Sequence, residues 1–264
     1  MKEKTKFIYA VSVTITFLLM VIVNGLANAL PINGIGTGQV SDSYPNLFAP
    51  IGLTFAIWGV IYLLLLIHVV HQFIKRNEYY EDSKHRRIAL LFSFSSLINT
   101  IWIFAWHYQA IGMSLILMLL ILISLILINI QLIKAKSKKD TLLIKVPFSV
   151  YFGWITVATI ANVTTFLVSV GWDGFGISEI LWTNIIILVG TAIAYISIQF
   201  YRSYAYGFVV VWAYIGIILK HMSKDFFDWT YPTVIIVTMF SLAILLLSEI
   251  MLFRKIRIET RNQS

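Results

Sequence analysis

The sequence predicts an all-α fold, a polytopic transmembrane helix bundle of about eight helices. Hydrophobic residues make up 59% of the 264-residue chain and charged residues only 12%, whereas a soluble domain carries about 25% charged residues. The apolar residues form long runs, and most basic residues lie in clusters between those runs. Only an apolar solvent accommodates so much apolar surface, so we expect the lipid bilayer to be the main partner of the chain.

Each helix is predicted from a run of about 20 mainly apolar residues, the length that crosses the hydrocarbon core. The eight runs are Phe7–Leu30, Pro50–Phe73, Ile88–Tyr108, Ile111–Ile133, Ile144–Val170, Ile180–Phe200, Ser203–Leu219 and Thr230–Phe253. The third and fourth runs are separated only by Gln109–Ala110, and the sixth and seventh only by Tyr201 and Arg202. If either pair is a single helix, the count falls to seven.

The basic residues predict the orientation of these helices. All but two of the 20 Lys and Arg residues lie on one side of the predicted bundle, and the exceptions are Lys220 and Lys224. The positive-inside rule makes the basic side cytoplasmic. We therefore expect a multi-pass cell-membrane protein, in a bacterial plasma membrane, with both termini cytoplasmic. This placement of charge argues against a nucleic-acid partner, and the absence of cysteine excludes thiolate chemistry.

The N-terminal run has a second interpretation. A basic start, an apolar stretch and the triplet Ala27-Asn28-Ala29 are also typical of a cleavable signal peptide. The stretch is longer than the roughly 7–15 apolar residues of a signal, so we predict a retained helix. The connection that follows, residues 31–49, is rich in Gly, Asn, Ser and Pro, which predicts an irregular and exposed outer loop.

Three of the runs carry polar and aromatic residues at helical spacing. These residues are Thr54, Trp58 and Tyr62 in the second run, Ser95, Asn99, Trp102 and Trp106 in the third, and Pro147, Tyr151, Trp154, Ala158 and Asn162 in the fifth. Steps of three or four residues place each set on one helix face. If the three faces point inward together, they line a mostly apolar cavity of the kind that binds small molecules.

The same residues also have a purely structural interpretation, and the sequence alone leaves both open. Trp and Tyr anchor helices at membrane interfaces, and asparagines form hydrogen bonds between helices. We interpret the aromatic residues at predicted outer helix ends as such anchors. They are Trp106, Tyr108, Trp172 and Trp229.

We predict neither a metal site nor catalytic residues. His68 and His71 lie three residues apart, but nothing near them in sequence supplies the further ligand that zinc needs. We interpret Glu249, near the end of the last run, as paired or extended towards the interface. No buried acid, base and nucleophile occur together.

Three blocks resemble the TspO/MBR family, the tryptophan-rich sensory proteins that include the translocator protein. They are Tyr44-Pro45 with Pro50 and Trp58-Gly-Val-Ile-Tyr62, then Leu97-Ile-Asn99-Thr-Ile-Trp102, then Val146-Pro147-Phe148 with Trp154, Ala158-Thr159 and Asn162. The chain departs from the family at Ala49, where a second proline is usual, and lacks the tryptophan usual near that loop. It also has no match to the family's sterol-recognition pattern.

The resemblance implies a five-helix TspO/MBR-like core in residues 1–170, followed by a three-helix transmembrane extension in residues 171–264. Family members bind porphyrins, so we expect a small, planar, hydrophobic ligand, a bound tetrapyrrole such as protoporphyrin or haem, and no required cofactor. The expected ligand-binding residues are Trp58, Tyr62, Asn99, Trp102, Tyr151, Trp154, Ala158 and Asn162. Family members often dimerise, so a homodimer is a further expectation.

Three other functions stay open at this point. A transporter of a small hydrophobic or aromatic solute is the main alternative, because eight helices suffice for a path across the membrane. Family members have been linked to light-dependent porphyrin breakdown, for which Trp58 and Trp154 would be the candidate residues. A purely structural membrane protein would bind no ligand at all.

Overall fold

The computed structural model describes residues 1–30, 32–133 and 137–261. This part of the chain is helical and contains no strand, and it has eight helices long and apolar enough to cross a bilayer. The predicted all-α polytopic bundle is therefore confirmed. The eight helices are α1 (Glu3–Ala29), α2 (Ile57–Ile74), α3 (Ser83–His107), α4 (Ile111–Leu132), α5 (Val146–Ser169), α6 (Glu179–Tyr201), α7 (Tyr204–Met222) and α8 (Pro232–Arg261).

Both closely spaced pairs of runs are separate helices. Between α3 and α4, Gln109 adopts a left-handed backbone conformation with φ 55°. Between α6 and α7, Arg202 does the same with φ 52°, and the hydroxyl of Ser203 then accepts a hydrogen bond from the Tyr206 amide at 3.3 Å. A residue at positive φ cannot continue a right-handed helix, so each turn ends one helix and allows the next to begin.

Several helix boundaries differ from the predicted ones. Glu3 and Ser83, both ahead of the apolar runs, begin α1 and α3. The second run begins as a 3-10 turn, Gly52–Ala56, before α2 starts at Ile57. The Ile51 amide donates to the Gly216 carbonyl of α7 at 3.2 Å, which holds this entry outside the regular helix. The last helix runs past the apolar residues to Arg261, where Glu259 forms an ion pair with Arg202 in the α6–α7 connection.

The first five helices pack into a closed ring in the order α1, α3, α4, α5, α2. The last three lie outside this ring: α7 packs on α5, α8 on α7, and α6 on α8. Gly153 allows the close approach of α7, because a Cβ there would lie 2.8 Å from the Tyr206 carbonyl oxygen. The division of the chain into two units at residue 170 stays a prediction.

The prediction of an irregular, exposed outer loop is wrong for residues 32–49; Pro31 lies outside the described residues. The segment contains a 3-10 turn at Ile32–Gly34 and a short helix at Thr37–Asp42. Its apolar residues Leu47 and Phe48 are buried. Side chains at the ends of α3 and α7 bind its backbone: the Trp106 indole donates to the Thr37 carbonyl at 3.0 Å, and His221 bonds to that of Leu47 at 2.9 Å. The segment is thus a packed cap on the bundle.

Ion pairs join the connections at both ends of the bundle. At the predicted cytoplasmic end, Lys6 bonds to Glu81 and holds the pKa of that carboxyl below its usual value of 4.5. At the same end, the Lys145 ammonium donates to the Arg202 carbonyl at 3.1 Å. At the opposite end, Lys220 lies 3.4 Å from Asp42. Lys134 and Lys136, which also support the predicted orientation, lie outside the described residues.

Candidate functional site

A cavity of ≈ 410 Å³ lies between α1, α2, α3 and the cap. We call it the α1 cavity. Asn24 of α1, Trp58 and Tyr62 of α2, and Trp102 of α3 line it, and Phe55 of the 3-10 turn closes one side. Small-molecule sites have volumes of about 300–1,000 Å³. The α1 cavity is therefore large enough to hold at least part of a ring system.

A narrower space, which we call the α5 cleft, adjoins the α1 cavity. The two share Thr37, Phe55, Trp58 and Trp102, and the cleft adds Trp154 and Asn162 of α5. Its volume is ≈ 40 Å³, which holds no more than a few water molecules. The cleft therefore extends the α1 cavity towards α5 and does not form a separate ligand site.

The aromatic side chains predicted for the site form one cluster around Trp58. Its ring stacks on Tyr62 at a centroid distance of 5.4 Å and meets Trp154 edge-on at 6.3 Å and Tyr151 edge-on at 6.0 Å. On α3, Trp102 stacks on Trp106 at 5.7 Å. These distances are typical of favourable aromatic pairs. The structure thus brings the aromatic residues of α2 and α5 into contact, with Trp102 on the facing wall.

Three donors in this cluster have no acceptor. The indole nitrogens of Trp102 and Trp154 and the hydroxyl of Tyr62 are buried without a hydrogen-bond partner among the described residues. Buried polar groups are nearly always paired, and an unpaired one costs about 1–3 kcal/mol. Tyr62 and Trp102 line the α1 cavity and Trp154 lines the adjoining α5 cleft, so a bound ligand that brought acceptors close to these donors would pair them.

The two predicted asparagines brace helices. Asn99 accepts a hydrogen bond from Asn24 at 2.8 Å, which joins α3 to α1. Asn162 accepts one from Ser114 at 2.8 Å, which joins α5 to α4. Asn162 also lines the α5 cleft together with Ala158, whereas Asn99 and Tyr151 line neither space and lie behind the aromatic walls.

Sequence reasoning missed some site residues. Trp106 was expected at the membrane interface, but it is only 4% exposed and lines the α5 cleft, so that interpretation is wrong. The stacking on Trp102, four residues earlier, buries it. Asn24 could have been found, because a polar residue inside an apolar run marks an inward face. Phe55 gave no signal, since its position depends on the 3-10 turn. Tyr108 and Trp229, also interpreted as anchors, are exposed.

The α7 helix fixes the wall of the α1 cavity from outside the ring. Trp212 donates its indole N–H to the Thr54 carbonyl at 3.0 Å. This bond and the one from Ile51 to Gly216 hold the 3-10 turn that carries Phe55 and leads into Trp58. Helix α7 therefore helps to shape the site.

The ionisable residues singled out from sequence lie away from this cavity. His68 is buried on α2, where its Nδ1 bonds to the Leu143 carbonyl at 3.0 Å. Within residues 1–30, 32–133 and 137–261, no three His, Cys, Asp or Glu side chains are grouped as metal ligands. The interpretation of Glu249 is wrong: it is 6% exposed and lies against Gly207, and its carboxylate oxygens have no partner in the described part of the chain. Gly207 leaves room for it, because it has no side chain.

Comparison with curated proteins and with solved structures finds no match. The family model described as TSPO-like protein matches residues 10–252. The match runs from the first turns of α1 into α8, and so takes in both the ring whose helices line the α1 cavity and the three helices packed outside it. Together with the eight membrane-spanning helices and the tryptophan-lined cavity, this match shows that the chain belongs to the TSPO-like protein family.

Proposed function

We propose that the protein binds a flat, largely apolar ligand in the α1 cavity and acts as a membrane sensor or regulator, without catalytic turnover. Our candidate ligand is a tetrapyrrole such as protoporphyrin or haem. The observation that carries the proposal is an aromatic cavity whose wall residues Tyr62 and Trp102, with Trp154 in the adjoining cleft, have buried donors that lack acceptors among the described residues.

The chemistry of the walls supports an uncharged, planar ligand body. None of the residues that line the α1 cavity is charged. The stacked pair of Trp58 and Tyr62 offers aromatic surface on one side, and Trp102 lies on another. Each aromatic pair contributes about 0.5–1.5 kcal/mol beyond burial. The buried donors would bond to acceptor atoms on the ligand's edge.

The carboxylates of a tetrapyrrole need a polar exit from this cavity. Gly25, Asn28 and Gly52 line the α1 cavity and are exposed, so they mark its opening. Asn28, in the last turn of α1, supplies a polar group at this opening, so charged substituents placed there would lie near the end of the bundle while the macrocycle lies against the tryptophans. A ligand with charge at its centre would instead lose its hydration with no countercharge to replace it.

The contacts of the 3-10 turn support a regulatory role. Phe55 lines the cavity, and its turn is bonded to Trp212 and Gly216 of α7. A ligand that moves Phe55 would therefore act on the three outer helices. The second candidate, a transporter of a small hydrophobic or aromatic solute, requires release on both sides of the membrane. Uptake of the same porphyrin into proteoliposomes, in proportion to the protein, would favour that candidate.

A titration with protoporphyrin tests the proposal. The protein is placed in phosphatidylcholine nanodiscs, and binding is followed by the Soret absorbance, with empty nanodiscs to measure partition into lipid. Trp102→Phe keeps a ring and removes an unpaired donor; one lost hydrogen bond weakens binding by roughly 2- to 10-fold. Trp229→Phe, at an exposed outer position, is the matched control and should bind as the wild type does. Unsaturable binding, equal in all samples and in empty nanodiscs, would contradict the proposal.

We also propose that both termini face the cytoplasm of a bacterial cell. The basic connections support this orientation. Lys6, Lys145 and Arg202 all bond to groups at the same end of the bundle as the termini. The opposite end carries Lys220, which is neutralised by Asp42.

A further inference from the structure

A second cavity of ≈ 410 Å³ lies at the outer end of the molecule, outside the ring. We call it the outer cavity. It lies between the last turns of α5, the first turns of α6, the connection between them and residues 45–48 of the cap. It shares no lining residue with the α1 cavity or the α5 cleft. On α5, Thr164 and Val168 face the outer cavity, whereas Ala161 and Thr165 face the cleft, so the helix separates the two spaces.

Two tryptophans form a fixed wall of the outer cavity. The rings of Trp172 and Trp182 lie 5.1 Å apart at an angle of 56°. The Trp182 indole N–H donates to the Gly174 carbonyl at 2.6 Å. Gly174 has φ 66°, and a Cβ on it would lie 3.0 Å from the Trp182 ring, so glycine suits both the turn and the close contact. Because Trp182 is held before any ligand arrives, less ordering is needed on binding.

The charge of the outer cavity is negative. Asp173 and Glu179 line it, and no Lys, Arg or His does. One oxygen of Asp173 accepts the Phe175 amide at 2.9 Å, and Glu179 is exposed with no ion pair among the described residues. Leu167, Val168 and Ile186 supply apolar surface beside these carboxylates. The cavity thus combines aromatic faces, two acidic groups and an apolar wall.

We propose that the outer cavity binds an organic cation, an ammonium group that carries an apolar substituent, from the outer side of the membrane. The cation lies against the face of Trp172 or Trp182, where the ring quadrupole attracts it. The carboxylates of Asp173 and Glu179 neutralise its charge, and the apolar substituent packs on Leu167 and Ile186. An anion would be repelled at this site, and a neutral aromatic compound would leave the carboxylates without a countercharge.

Benzyltrimethylammonium is the probe, and benzyl alcohol is its uncharged comparison. Binding to the full chain in zwitterionic phosphatidylcholine nanodiscs is measured by isothermal titration, with empty nanodiscs as the blank. The double variant Asp173→Asn, Glu179→Gln keeps side-chain shape and removes both charges. We expect saturable binding of the cation, weakened roughly tenfold in the double variant, with loss of affinity at high salt in the wild type only. Trp182→Phe, which keeps a ring but loses the bond to Gly174, should weaken binding less than the double variant.

The control variant is Gly25→Leu, which places bulk at the opening of the α1 cavity and should leave cation binding unchanged. Absence of saturable binding to the wild type would overturn the proposal. So would equal affinity for benzyl alcohol, equal affinity in the double variant, or loss of binding in Gly25→Leu. Because the two cavities share no residue, these outcomes are independent of tetrapyrrole binding in the α1 cavity.

Discussion

Gly216 of α7 lies directly against Thr54 of the 3-10 turn: a Cβ on Gly216 would fall 2.1 Å from the Thr54 Cγ2 atom. No real pair of carbon atoms tolerates such a distance without movement. The contact joins a helix outside the ring to the segment that carries Phe55, a wall of the α1 cavity. A single methyl group at Gly216 therefore tests how α7 supports the site.

We expect Gly216→Ala to destabilise the protein by about 1–3 kcal/mol, the usual cost of overpacking, and to weaken ligand binding. Thr54→Ser removes the Cγ2 atom but keeps the hydroxyl that bonds to the Ile51 carbonyl. The double variant should therefore recover much of the lost stability. Thermal unfolding in detergent measures all four proteins. Strictly additive effects of the two substitutions would contradict this contact.

The hydrogen bond between Asn24 and Asn99 should couple α1 to α3. Both side chains are buried, and the bond measures 2.8 Å. A double-mutant cycle with Asn24→Ala and Asn99→Ala should give a coupling energy of about 0.6–1.7 kcal/mol, as for other hydrogen bonds between membrane helices. Unfolding in SDS gives the free energies. In the control cycle, Asn28→Ala, at an exposed position on α1, replaces Asn24→Ala. A coupling energy of zero between Asn24 and Asn99 would contradict the prediction.

The bond from Lys6 to Glu81 should make stability depend on pH in the acidic range. The Lys6 hydrogen bond holds the pKa of the Glu81 carboxyl below 4.5, its usual value. A lowered pKa stabilises the folded state at pH values above the unfolded pKa, and this contribution is lost as pH falls through the folded value. The melting temperature should thus fall less below pH 4.5 in Glu81→Gln than in the wild type. Glu3→Gln, an exposed glutamate on α1, should follow the wild type.

The orientation can be measured by thiol labelling, because the chain has no cysteine of its own. Lys224→Cys lies in the exposed connection between α7 and α8, and Lys138→Cys lies in the exposed connection between α4 and α5. In intact cells, a membrane-impermeant maleimide should label the first variant and not the second. Permeabilised cells should allow both to react. Labelling of Lys138→Cys in intact cells would contradict the proposed topology.

Much of the fold follows from local properties of the chain. The run of apolar residues that predicts each helix is a composition signal. The predicted break at Tyr201 and Arg202 is displaced by one residue from the observed break at Arg202 and Ser203, but the two helices are separate, as predicted, because each flanking run is long enough to span. The aromatic residues of α2, α3 and α5 each lie on one helix face because helical periodicity places them there. The packing of α2 against α5 then brings Trp58 and Trp154 into contact.

What the sequence does not predict depends on contacts between distant segments. The cap of residues 32–49 is polar in composition, and its order comes from bonds to Trp106 and His107 at the end of α3 and to His221 at the end of α7. Phe55 reaches the cavity only because α7 holds the 3-10 turn. The burial of Glu249 requires a glycine on another helix. None of these pairings has a local pattern from which it can be inferred.

The central claim is that a planar ligand occupies the α1 cavity, and obstructing that cavity tests it most directly. A Cβ on Gly25 meets nothing within 4 Å, and Gly25 lies at the opening of the cavity, so Gly25→Leu should obstruct that opening with no clash at Cβ. Gly59→Leu is the matched control, because Gly59 on α2 is likewise exposed with open space around it, but it lines neither cavity nor cleft. In protoporphyrin titrations of both variants in nanodiscs, we expect saturable binding to be lost in Gly25→Leu and retained in Gly59→Leu, with both proteins folded. Wild-type affinity in Gly25→Leu would contradict the claim.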